Sequence, residues 1–206
     1  MDFRTYIGKF VEIPAKDIES FLEKSKERHY RKGEHFIQQG QTCGELIYIR
    51  KGLFRYYLNS THHEITKDFA VDLLNPLCTS YSSLITRSPS KQNIEALEES
   101  DVFVWNYSEI SEVLEKMPWI LFSKRIAELL YVRKEKREIS LIKDSAEIRY
   151  TEFLSEFPGL SQRIPQYQIA SYLGISPESL SRIRSRRRKQ RAPSHPSSER
   201  KDRGGL

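Results

Sequence analysis

The chain has 206 residues, 38% of them hydrophobic and 11% aromatic, which excludes a disordered polyelectrolyte and allows one sizeable core and a smaller second one. Its formal charge of +6 is concentrated at one end: residues 182–206 hold ten Lys/Arg against two acids, so the preceding 181 residues are slightly acidic and an anionic partner is expected at the C-terminal end. Cys43 and Cys78 lack the paired spacing of a zinc or iron–sulfur site, and no apolar run reaches 18 residues, so a cytoplasmic protein with reduced thiols, no resident cofactor, no metal and no membrane contact is expected.

Residues 14–26 place Ile18, Phe21 and Leu22 at helical spacing behind Pro14, which predicts a short amphipathic helix. From 30 to 107 the texture changes to short runs rich in β-branched and aromatic residues, "HFIQQG", "ELIYIRKGLFRYYL", "HEITKDFAV" and "VFVWNY", punctuated by Gly33, Gly40, Gly44 and Gly52. Tight-turned antiparallel strands of this kind suit a jelly roll. Ser108 is the expected cap of a short helix running to about 116, and Pro118 opens another.

From 119 to about 142 neither Gly nor Pro interrupts a helical pattern in which Phe122, Ile126, Leu129 and Leu130 cluster on one side. A helix of that length spans about 36 Å, more than a small barrel covers, so these four residues are the expected homodimer interface. Residues 144–157 read as a further amphipathic helix with Ile148, Phe153, Leu154 and Phe157 on its apolar face, stopped by Pro158 and Gly159. Beyond Lys189 the breaker-rich "QRAPSHPSSERKDRGGL" is expected to be a basic disordered tail.

Between these lies "IASYLGISPESLSRIRSRRRK", residues 169–189, and its spacing is that of a helix-turn-helix. Ile169 and Leu173 give the first helix a buried side, and Ala170 is small where the second helix crosses. Gly174 takes the positive φ of the turn, Ile175 plugs it, Ser176 caps the second helix and Pro177 starts it, while Leu180 and Ile183 turn inward. The outer face then carries Ser176, Pro177, Glu178, Ser179, Ser181, Arg182 and Ser185, the expected readers of double-stranded DNA, with Arg suited to guanine and Glu to cytosine.

An N-terminal β-roll with the strand–turn pattern "KGEHFIQQGQTCGELIYIRKG", a long helix and the C-terminal "IPQYQIASYLGISPESLSRIR" together resemble the Crp/Fnr family of bacterial transcription factors over residues 5–187. The resemblance implies an α+β chain: a cyclic-nucleotide-binding-like roll of the double-stranded β-helix or jelly-roll type at 1–117, a dimerisation helix at 118–143, a helix-turn-helix domain at 144–188 and the tail at 189–206. It also implies a homodimer that binds a two-fold-related DNA site, with RNA polymerase and a small-molecule effector of unknown identity as further partners, and no enzymatic activity. Family members that bind cyclic AMP carry a glutamate and, ten residues later, an arginine, which hold the ribose hydroxyl and the cyclic phosphate. Here Ser80 and Ser90 fall at those places in "NPLCTSYSSLITRSPSKQNIEAL", so cyclic AMP is not expected to bind. Arg87 and Lys91 nearby read as solvated loop charges, and the cysteine cluster of the family's iron–sulfur sensors is missing.

Two other readings stand beside this one. His62, His63 and Glu64 suggest a metal-dependent cupin enzyme, although adjacent strand residues point to opposite faces and cannot easily share one metal. A ligand-sensing protein with little sequence-specific DNA binding is the other; the intact spacing from Ile169 to Ile183 speaks against it.

Overall fold

The computed structural model describes residues 2–61 and 63–191. Two short helices, α1 (Phe3–Gly8) and α2 (Ala15–Glu23), precede eight strands: β1 (Lys26–Tyr30), β2 (His35–Ile37), β3 (Glu45–Lys51), β4 (Leu53–Asn59), β5 (Glu64–Val71), β6 (Leu77–Cys78), β7 (Asn93–Ala96) and β8 (Ser100–Asn106). The strands form two four-stranded sheets of order β1-β8-β3-β6 and β2-β7-β4-β5, with every pairing antiparallel, which is the roll expected from the strand texture. Ile37, Ile47, Ile49, Phe54, Ile94 and Val104 fill the space between the sheets. Gly52, at φ 125° between β3 and β4, lets the hairpin press against β8: a Cβ there would stand 2.1 Å from the Ser100 hydroxyl oxygen and 2.8 Å from its Cα.

Helix α3 (Tyr81–Thr86) lies in the β6–β7 connection, and α4 (Tyr107–Leu114) follows β8. The cap of α4 is Asn106, whose Oδ1 accepts from the Ser108 amide at 3.1 Å, and not Ser108 as the sequence suggests. The chain then enters α5 (Trp119–Lys143), 25 residues and about 37 Å long. An aromatic cluster sets its start: Trp119 stacks on Phe21, and Phe122 meets Tyr6 and Phe10 edge-on. Phe122 is therefore buried within its own chain, whereas it was expected to face a partner; Ile126 is half-buried on the same cluster, and Leu129 and Leu130 are exposed.

The C-terminal third consists of α6 (Ala146–Glu156), a 3-10 turn (Leu160–Gln162), α7 (Gln166–Leu173) and α8 (Pro177–Arg191). Ser145 caps α6 by accepting from the Ile148 amide; Ile148 itself points outward, in contrast to its assignment to the apolar face. Helix α8 continues through Lys189 to Arg191, where the expected tail was to begin; residues 192–206 of that tail lie outside the described residues.

One core joins roll and helices. Phe69 of β5 meets Phe153, Phe157 and Tyr172 at centroid distances of 5.5–6.4 Å, and Leu53, Val71 and Leu97 of the roll share that cluster with Ile169, Leu173, Leu180 and Ile183. Polar contacts follow the same seam. The Ser171 hydroxyl accepts from the amide of Thr66 at 2.8 Å and donates to the carbonyl of Glu64, so α7 satisfies backbone groups of the edge strand β5. Arg133 of α5 pairs with Asp68 of β5 and with Glu156 of α6, and Arg163 pairs with Asp72 and Glu98.

Candidate nucleic-acid interface and effector cavity

The turn between α7 and α8 follows the geometry its residues dictate. Gly174 ends α7 in the left-handed region at φ 66°, ψ 37°, and the Ile175 amide donates back to the Ala170 carbonyl at 3.0 Å. Two arginines from other helices complete the end of α7: Arg149 donates to the Leu173 carbonyl at 3.0 Å, and Arg137 donates to the Tyr172 carbonyl at 2.6 Å while lying 3.6 Å from the centre of the Tyr172 ring. These are carbonyls that the helix leaves unpaired, so the cations fix α7 against α5 and α6. Ser176 then starts α8, its Oγ accepting from the Ser179 amide at 3.2 Å.

Ile169, Ala170, Leu173, Leu180 and Ile183 are all buried, and Ile175 is partly buried against them. Ser176, Pro177, Glu178, Ser181, Arg182 and Ser185 are exposed and Ser179 is half-exposed, so the seven candidate readers do share the solvent side of α8. Backbone and Ser176 hydrogen bonds hold the Glu178 carboxyl below its ordinary pKa, with a smaller contribution from Arg182. No hydrogen-bonded ion pair joins Glu178 to Arg182 among the described residues.

The arginines at the end of α8 divide between two sides. Arg186 pairs with Glu147 at 3.0 Å; Arg187 donates to Thr151 and lies over the Tyr150 ring, all on α6. Arg188 and Lys189 are exposed and, at 3.6 residues per turn, continue the stripe of Glu178, Arg182 and Ser185. The eleven steps from Glu178 to Lys189 cover about 16 Å, more than the roughly 12 Å width of a DNA major groove, so the stripe outruns a groove.

A cavity of ≈ 600 Å³ lies between the roll, α3 and α5. Ser80 lines it, and its hydroxyl oxygen lies 2.9 Å from that of Ser90; both residues are 2–3% exposed. The Ser90 hydroxyl donates to the Gln92 carbonyl at 2.7 Å, so Ser80 is the donor to Ser90. The pair is closed on itself, with no cation at either place. Arg87 lies over the Tyr107 ring, and the buried Arg55 is held by Glu64 and Glu95. A cyclic phosphate would meet no arginine fork at Ser80 and Ser90, so these two residues do not fit the group that the family's cyclic-AMP sensors hold. Lys91 is exposed, as a solvated loop charge is, and also borders the cavity, and Lys67 of β5 stands there too, with Nζ 2.7 Å from Oε1 of Gln92. Lys67 sits in a strand of mixed pattern, and nothing in its neighbourhood of sequence marks it.

His62 lies outside the described residues; His63 is exposed and Glu64 is engaged with Arg55, and no group of three or more His, Cys, Asp or Glu suited to a metal occurs among the described residues. Cys43 and Cys78 are buried free thiols, and burial pushes the Cys78 thiol far up from its ordinary pKa. No helix among the described residues is long and apolar enough to cross a membrane.

An antiparallel roll with a cavity, tied by one long helix to a helix-turn-helix, defines a two-part fold. Residues 27–117 match the cyclic nucleotide-binding domain family. FixK2 from Bradyrhizobium japonicum is 20% identical, with a TM-score of 0.67 over 81% of this chain and 85% of that one. A Crp/Fnr-family protein from Eubacterium rectale superposes with a TM-score of 0.61 at 18% identity, covering 86% of this chain and 85% of its own. CLP from Xanthomonas campestris, described as a c-di-GMP-responsive global regulator, gives 0.62 at 15% identity over 86% and 93% of the two chains. No curated protein matches the chain in sequence. The resemblance to the Crp/Fnr family is thus borne out: the chain carries a cyclic nucleotide-binding domain within the fold of the Crp/Fnr regulators.

Proposed function

We propose that the chain is a transcription regulator that binds a two-fold-related DNA site as a homodimer and does so without cyclic AMP. The observation that carries the reading is α8: its inner side, Leu180 and Ile183, is buried, while Ser176, Pro177, Glu178, Ser181, Arg182 and Ser185 stand exposed, with Ser179 half-exposed among them. Entering a major groove by its N-terminal end, the helix presents Arg182 to guanine and Glu178 to cytosine. Arg188 and Lys189, further along the same stripe, meet the phosphates at the groove wall.

Dimerisation proceeds through α5. Leu129 and Leu130 are 50% and 44% exposed on this helix, and Ile126 adds a half-buried third residue. Covering them in a second copy removes apolar surface from water at about 25 cal/mol per Å². Phe122 supports the seam from beneath, by fixing the start of α5 on the roll.

The test is selection of binding sites from random duplex DNA with the full chain, alongside sedimentation at micromolar concentration. A palindromic consensus bound by a dimer is expected. Recovery of unrelated sequences by a monomeric protein sinks the proposal.

A further inference from the structure

The cavity beside Ser80 and Ser90 has a polar end and an aromatic end. At the polar end Ser80, Ser90, Gln92 and Lys67 form one connected set: Gln92 Nε2 lies 3.5 Å from the Ser80 hydroxyl oxygen, and Gln92 Oε1 accepts from Lys67. At the other end the wall comprises Phe3, Phe21 and Trp105, which pack on one another at centroid distances of 5.1–5.9 Å. Leu84, Ile126 and Leu130 line the space as well.

Lys67 is the unusual member. Its ammonium donates to a neutral carboxamide, and no carboxylate pairs with it among the described residues. Asp68, the next residue, also borders the cavity, but its carboxylate is engaged by Arg133 at 2.7 Å. Lys134 of α5 adds a further positive charge nearby, and Lys91 lies on the same wall. Partial burial lowers the Lys67 pKa and the charge of Asp68 opposes that shift, while the residue as a whole stays exposed, so its ammonium has a carboxylate nearby but none in hydrogen-bond contact. The other acid on the lining, Glu115, belongs to the segment after α4. The polar end thus carries a cation that no carboxylate hydrogen-bonds and the satisfied hydroxyl of Ser80, and the rest of the wall mixes apolar and aromatic side chains with hydroxyls such as Thr79, Ser83, Ser111 and Ser123.

We propose that this cavity binds an apolar monoanion, a molecule with a hydrocarbon or aryl body and a single carboxylate, whose carboxylate pairs with Lys67 and whose body lies toward Phe3, Phe21 and Trp105. A carboxylate supplies the hydrogen-bonded counter-ion that Lys67 lacks, and it needs only one cation, whereas a cyclic nucleotide brings a phosphate to walls with no arginine fork and a ribose to a polar end whose nearest carboxylate, Asp68, is engaged by Arg133. The volume of ≈ 600 Å³ falls within the range of small-molecule pockets. The inference takes the cavity as the effector site of the proposed regulator, and it deepens that reading by naming the class of effector.

The test is calorimetry on the full chain with decanoate, with decanol as the uncharged match, and with cyclic AMP. Decanoate is expected to saturate at one site per chain and to bind at least roughly tenfold more tightly than decanol, the margin of one charge-assisted hydrogen bond. Lys67→Met should bring decanoate down to the level of decanol and leave decanol unchanged, while Lys67→Arg retains the preference. Circular dichroism of each variant separates loss of binding from loss of fold. Equal binding of decanoate and decanol, a Lys67→Met variant that keeps the preference, no saturable decanoate binding up to about 1 mM, or tighter binding of cyclic AMP than of decanoate each overturns the proposal. Site selection on unliganded protein is read independently: a palindromic consensus without decanoate binding removes only this inference, and decanoate binding without DNA selectivity removes the regulator reading.

Discussion

The helix-turn-helix and the roll have kept different things. In the former, small Ala170, left-handed Gly174, capping Ser176 and inward Leu180 and Ile183 all occupy the places their geometry requires, and the outer face carries Glu178 and Arg182, the proposed readers. In the roll the shape is there and the expected ligand chemistry is not. Ser90, expected where the resemblance puts an arginine, and Ser80, expected near the place of the glutamate, are bonded to each other at 2.9 Å beside an intact pair of sheets. The difference teaches that a fold and its ligand chemistry rest on separable positions. The roll stands on the packing of Ile47, Phe54 and Ile94, none of which needs to touch a ligand.

The shared core offers the severest test of how independent the two regions are. Phe153→Ala removes a side chain that touches Phe69 of the roll and Tyr172 of the first reading helix, and it should cost about 3–5 kcal/mol in urea unfolding. One cooperative transition moving to lower urea means that roll and helices melt as a unit; a split into two transitions means that the seam is weaker than its aromatic contacts imply.

Separation of reading from anchoring on α8 comes next in size. Arg182→Ala should cost about 1–3 kcal/mol and relax base preference at a single position of the selected site. A double Ala replacement of Arg188 and Lys189 should instead weaken binding to all sequences alike and flatten the salt slope by about two log units per log unit for each DNA-binding protomer. Arg186→Ala, by contrast, should change the salt slope little, because that arginine is paired with Glu147. A salt slope that responds to Arg186 as strongly as to Arg188 would contradict the division of α8 into two sides.

Gly174→Ala forces a side chain into the left-handed region and should cost about 1–2 kcal/mol of stability, with DNA affinity falling because the angle between α7 and α8 shifts. Smaller again, Ser90→Ala leaves the buried Ser80 hydroxyl without its acceptor and should cost about 1 kcal/mol, read from the midpoint of urea unfolding, with no effect on site selection.

The smallest effect lies on the exposed rim of the roll, where hydrogen bonds to Asp101 and then to Glu99 raise the pKa of His29. The protonated imidazole therefore adds stability fully present below the ordinary histidine pKa of about 6.5, and lost as pH rises through the elevated value. Replacement by Asn should flatten the dependence of the melting temperature on pH in that window, while leaving DNA selection unchanged.

The sequence by itself determined the helix-turn-helix, because every requirement of that motif is met within some fifteen consecutive residues: the left-handed glycine, the cap, the proline and the inward pair are local decisions of the backbone. It likewise determined a roll of tight-turned strands, since alternation and glycines at turns are local too. The tertiary structure alone decided how long-range neighbours distribute the remaining side chains. Phe122, on the apolar stripe of α5, turned out to be enclosed by Tyr6 and Phe10, which lie more than a hundred residues earlier in the chain. Arg187 and Arg188 are identical in sequence, yet one lies over Tyr150 and the other faces solvent, because α6 packs on one side of α8 only. Lys67 gained its place beside Gln92 through the curvature of the roll, which brings β5 and the segment before β7 to one wall. Such pairings depend on where the chain returns to itself, and a window of neighbouring residues holds no record of that.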